Sequence, residues 1–150
     1  MALVIELSIS DGVSESELPS EEKLQQWAQA AYQGDSEVIV SMQVVAGDEM
    51  RALNKEYRGK DRPTNVLSFP MDLPDEIGIN LLGDLAFCDE VIEVEAKQQA
   101  KSPEAHWAHM VVHGMLHLQA YDHIEDDEAE LMEAKEIEIM KTLGFDNPYQ

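Results

Sequence analysis

The order of strand-like and helix-like segments predicts an α+β or α/β layer fold, in which a small four-stranded sheet packs with helices in one domain over residues 1–150. Three observations carry this. Four short segments are alternating or β-branched, and five longer ones repeat their apolar residues at helical spacing. The chain has 150 residues, 44% of them hydrophobic, which suits a single core of ordinary size. No internal repeat or linker divides it.

Residues 2–10 predict a first strand, with Leu3, Ile5, Leu7 and Ile9 on one face. Pro19-Ser20-Glu21-Glu22 opens a helix whose inner stripe is Leu24, Trp27, Ala28 and Ala31, and Gly34 fits just past its end. Residues 37–45 are β-branched and predict a second strand. Residues 48–57 predict a short helix with Met50, Leu53 and Tyr57 inward. Gly59 and Pro63 make 58–63 a loop. Residues 64–69 predict a third strand, closed by Pro70, and 71–80 are polar and irregular. Residues 82–88 predict the fourth strand and end on Cys88, read as a core thiol. A helix of mixed charge follows to about residue 100.

Ser102-Pro103-Glu104 starts the next helix, which runs to about residue 118. Serine caps, proline suits the first position, and glutamate favours the positive end of the dipole. A last helix covers 126–143, with Leu131, Met132, Lys135, Ile139 and Leu143 near one face and Gly144 as its stop. Its many acids, Glu136 among them, are read as a solvated outer face.

The formal net charge of −21 argues against broad nucleic-acid binding. Its distribution is uneven. Arg51, Lys55, Arg58, Lys60 and Arg62 crowd into 12 residues, opposed there by Glu56 and Asp61. This segment is a candidate anion site. A single cysteine excludes an internal disulfide and suits a reducing, cytoplasmic setting. The first six residues lack the basic flank of a secretory signal, and no run approaches the roughly 18 apolar residues of a membrane span.

All five histidines lie between positions 106 and 123. His106, His109, His113 and His117 fall along one helical stripe. His113 and His117 stand one turn apart and can reach one ion. His123 follows beyond the predicted helix end, where a turn would bring a third nitrogen back. Three protein ligands with one position left for water is the pattern of a catalytic zinc. The spacing matches the zinc helix of metzincin proteases, with Gly114 where those enzymes carry their general-base glutamate and Ala120 where they carry the turn glycine. The missing carboxylate counts against peptide hydrolysis. His106 and His109 are read as helix-face or core residues. Asp122 either orients an imidazole or caps the last helix, and Tyr121 is read as packing.

Three segments together resemble the bacterial YbeY family of zinc-dependent endoribonucleases, which are rRNA maturation factors. They are Tyr57 to Pro70 (YRGKDRPTNVLSFP), Leu82-Gly83-Asp84-Leu85, and the histidine string from His113 to His123. The resemblance implies an α+β fold with a small mixed sheet and a cleft over the metal, which sits on a helix and the turn after it. It implies a single-strand-specific, metal-dependent endoribonuclease that acts at the 3′ end of small-subunit rRNA and in ribosome quality control. His113, His117 and His123 would hold one Zn2+, with His113 and Arg58 as catalytic residues. Another divalent metal, nickel for instance, would fit the same ligands in a purified sample. Arg58 would grip a phosphate oxygen through its planar fork, and Lys60 and Arg62 would hold the RNA backbone. The expected partners are single-stranded or ribosomal RNA and the small ribosomal subunit, with no DNA and no membrane. Two other readings stand beside this one: a ribosome-associated binding factor with a largely structural metal, and a zinc metalloprotease.

Overall fold

The computed structural model describes residues 3–71, 80–119 and 126–149. The elements run β1 (Leu3–Ile9), a short 3-10 turn (Glu15–Glu17), α1 (Glu21–Ala31), β2 (Val38–Val45), α2 (Gly47–Arg58), β3 (Val66–Pro70), β4 (Leu81–Cys88), α3 (Asp89–Gln98), α4 (Pro103–Leu118) and α5 (Asp126–Thr142). The helix starts follow the local chemistry. Ser20 Oγ accepts the Lys23 N–H at 3.2 Å, and Ser102 Oγ accepts the Ala105 N–H at 3.1 Å with Pro103 in the first turn.

The four strands form one mixed sheet in the order β1-β2-β4-β3. β1 pairs with β2 and β2 with β4 in parallel, while β3 runs antiparallel to β4 along the edge. The architecture is therefore α+β, as the sequence predicts. Alternation along each strand divides its side chains between two cores. Val40, Met42, Val44, Val66, Leu85 and Phe87 join the large core with α1, α4 and α5. Val45, Leu67, Ala86 and Cys88 join a small one with Met50 of α2.

Helix α4 is the centre of the large core. It packs against β3, β4, α1, α3 and α5, and its apolar residues are buried all round. Two glycines allow its close approach to the sheet. A Cβ on Gly114 would stand 2.9 Å from Leu85 Cδ2 and 3.3 Å from Val66 Cγ2. A Cβ on Gly83 would stand 2.6 Å from both Leu118 Cδ2 and the Phe69 carbonyl oxygen. These separations are shorter than van der Waals contact, so a side chain at Gly114 would press α4 off the sheet, and one at Gly83 would clash with the β3 backbone as well as with Leu118.

Three inward and outward assignments from the sequence are overturned. Tyr57 is 59% exposed, and its ring meets that of Phe69 edge-on at the outer strand β3. Leu131 is 62% exposed, off the stripe that buries Met132, Ile139 and Met140. Glu136, taken for part of the solvated face, is completely buried. It stands four residues after Met132 and four before Met140, on the inward stripe of α5.

Candidate metal centre

The histidine stripe of α4 divides into two pairs. His106 and His109 are buried, as the core reading expects, and each Nε2 meets a carboxylate. His106 Nε2 lies 2.9 Å from Glu95 Oε1, and Asn65 donates to the same oxygen at 3.1 Å. Burial pushes the His106 pKa down, against the pull of Glu95. His109 Nε2 hydrogen-bonds Glu136 Oε2 at very short range.

His113 and His117 are half-buried instead, and they face each other. Their Nε2 atoms are 3.1 Å apart and their ring centroids 4.6 Å. A tetrahedral ion with Zn–N bonds of about 2.0–2.1 Å requires ligand nitrogens about 3.3 Å apart, so the pair fits one zinc-sized ion with little adjustment.

Glu136 connects the two pairs. Its Oε1 lies 3.2 Å from His113 Nδ1, and its Oε2 accepts from His109 and, at 2.7 Å, from the Tyr149 hydroxyl. Burial alone would raise the pKa of this carboxyl, but the hydrogen bonds from His109 and His113 outweigh it and hold the value at about 2. Glu136 is therefore ionised at neutral pH. A carboxylate on Nδ1 fixes the tautomer that carries its proton there, so His113 presents Nε2 as the electron-pair donor. The Tyr149 pKa is driven far upward by burial and by the Glu136 charge, so its hydroxyl keeps its proton and donates it.

His109, His113 and Glu136 also form a group of three potential ligands whose donor atoms lie within 4.8 Å of one another, so this cluster could itself hold a cation. Glu136 has no exposed surface, and its oxygens already accept from His109, His113 and Tyr149. An ion there would have to replace those hydrogen bonds. The His113 and His117 rings are less deeply buried than Glu136.

His123, together with Ala120, Tyr121 and Asp122, lies outside the described residues. The basic segment is described in full. Arg58 ends α2, Gly59 closes that helix with a left-handed φ of 70°, and Arg58, Lys60 and Arg62 are all exposed. Arg51 is held by Asp61 through contacts of 2.7 and 3.1 Å. The loop is tied back to α2, because Asn54 Nδ2 donates to the Arg62 carbonyl at 2.8 Å. Among the described residues, the edge strand β3 lies between this segment and α4. Phe69 touches Tyr57 on one face of β3, and on the other Ser68 Oγ donates to the Gly114 carbonyl at 3.4 Å.

Glu136 and Tyr149 join the candidate site, and sequence reasoning missed both. The spacing of Met132, Glu136 and Met140 would have revealed the first. Nothing local marks Tyr149, whose partner is 13 residues away in the chain.

The described residues contain no helix long and apolar enough to cross a membrane. Among solved structures, the chain is similar to the solution structure of TM1509 from Thermotoga maritima, with 29% identity, a TM-score of 0.60, and coverage of 92% of this chain and 87% of that one. The family model described as endoribonuclease YbeY matches residues 9–144. A match over so much of the chain, on a fold that brings two of the motif's histidines together above a buried carboxylate, shows that this chain belongs to the YbeY endoribonuclease family.

Proposed function

We propose that residues 1–150 act as one cytoplasmic domain, a zinc-dependent endoribonuclease that cleaves single-stranded RNA during maturation of the small-subunit rRNA 3′ end and in ribosome quality control. The observation that carries this reading is the meeting of His113 and His117 at 3.1 Å, with ionised Glu136 on the far nitrogen of His113. In the proposal His113, His117 and His123 hold the ion. When bound, it supplies Lewis acidity that polarises a phosphate oxygen and acidifies water.

The chain's own residues do the rest. Glu136 keeps the His113 ring in one orientation and one tautomer. Arg58 binds a phosphate oxygen of the RNA, and Lys60 and Arg62 hold the flanking backbone against the repulsion of a body with net charge −21. Tying the loop to α2 through Asn54 supports this role, because an ordered loop loses less entropy on binding.

The metalloprotease reading is disfavoured by Gly114. The site where a general-base glutamate would project is filled by Leu85 and Val66. The structural-metal reading is disfavoured by α4, which is anchored by apolar packing on several sides.

The test is cleavage of single-stranded and precursor ribosomal RNA by the purified protein beside an identically prepared His117→Ala variant. Cleavage by the parent alone is the expected result. Equal cleavage, or none, would contradict intrinsic nuclease activity.

A further inference from the structure

Tyr57 is a large aromatic side chain left 59% exposed at the end of α2, within the most basic stretch of an acidic chain. All three arginines of the protein, Arg51, Arg58 and Arg62, lie within six residues of it. Arg51 is engaged by Asp61, while Lys55, Arg58, Lys60 and Arg62 extend their charges into solvent. The ring does not lie flat on the protein. It meets Phe69 in an edge arrangement, with centroids 4.9 Å apart and planes at 67°. Whichever ring supplies the edge, such exposure leaves one face of Tyr57 open. Phe69 in turn is held by the small core beneath α2, so the Tyr57 ring is braced.

An open, braced aromatic face among cations is the combination that binds single-stranded nucleic acid: cations track the phosphates while the ring stacks on a base. A base paired in a duplex has both faces covered by its neighbours and offers nothing to such a ring. We infer that Tyr57 is a stacking platform for one unpaired base, set beside the Arg58 phosphate contact, and that it discriminates single-stranded from duplex RNA. This inference rests on the nuclease reading and supplies the element of that reading which the cations cannot, because phosphates are common to both forms of RNA. The position of β3 at the edge of the sheet supports it. Among the described residues, an RNA chain held by Tyr57 passes the single strand β3 on its way to α4, where Ser68 meets the turn of His113 and Gly114.

The test uses zinc-loaded full-length protein and a short single-stranded oligonucleotide with 2′-O-methyl sugars, which resists cleavage, and a duplex of the same sequence. Affinities are read by fluorescence anisotropy for the parent, Tyr57→Phe and Tyr57→Leu. Leucine keeps an apolar contact for Phe69 and removes the π face. The expected result is single-strand binding weakened about 5–150-fold in Y57L, the range that loss of one base–aromatic stack produces, with Y57F near the parent and duplex binding unchanged. Single-strand binding by Y57L equal to the parent would overturn the platform and leave the nuclease reading intact. Equal losses for single strand and duplex would also overturn it, and would assign the ring a structural role. Failure of the parent to bind either RNA would overturn the nuclease reading itself.

Discussion

His106 and His109 share a helix, a residue type and a spacing with His113 and His117, yet the two pairs face different chemistry. The first pair is 2% and 6% exposed, and each ring is bonded to a carboxylate. The second pair is half-buried and its rings meet each other. The difference arises from what packs opposite each turn of α4. Glu95 of α3 stands over His106, and Glu136 of α5 over His109, with one oxygen left to reach His113. His117, one turn further on, meets the His113 ring. A stripe of equivalent-looking imidazoles is thus graded by depth, from core histidine to candidate ligand, with Glu136 at the boundary.

Several variants break or sharpen this contrast. The largest effect is expected for His117→Ala, which should lower zinc affinity by more than the about 10–100-fold that loss of a hydrogen-bonded outer partner produces, with cleavage lost in parallel. Glu136→Gln comes next. The amide retains the shape but places a donor against His109 or His113, so zinc affinity should fall about 10–100-fold in a chelator competition. Stability should fall by about 1–3 kcal/mol in denaturant unfolding. A Gln variant with unchanged zinc affinity would remove Glu136 from the centre. Gly114→Glu should destabilise by at least about 1–3 kcal/mol through overpacking against Leu85 and Val66, and should hydrolyse no peptide library. Peptide cleavage by that variant would revive the protease reading.

The smallest effect concerns the buried pair. His106 titrates below its ordinary value of 6.5, because burial resists its charge. The unfolded chain then takes up a proton that the folded chain refuses, so stability is full above about pH 6.5 and falls as pH drops below it. His106→Gln should flatten this slope in melting temperatures of the metal-free protein. An unchanged slope would show that His106 is not its source.

The sequence made the elements legible because their ends are local chemistry. Ser20, Ser102-Pro103 and Gly144 mark boundaries that the fold keeps to within a residue or two. The four strands were equally plain, but their order was not. Pairing β4 between β2 and β3 depends on contacts far apart in the chain. At the site, the pair His113 and His117 was legible from helical spacing alone. Glu136 was hidden among acids that do face solvent, such as Glu130 and Glu138, and composition outweighed its register with Met132 and Met140. Tyr57 failed in the opposite direction. Its register with Met50 and Leu53 points inward, but the sheet ends at β3 and the ring is left 59% exposed beside Phe69. Both misreadings involve a side chain whose surroundings come from distant segments.

The most direct test of the graded stripe is zinc affinity, measured by chelator competition on His109→Asn and His117→Ala side by side. The account predicts that His117→Ala loses zinc while His109→Asn keeps it within about tenfold, as expected for a residue that acts only through Glu136. Loss of zinc from His109→Asn with retention in His117→Ala would contradict it, and would move the ion into the cluster of His109, His113 and Glu136.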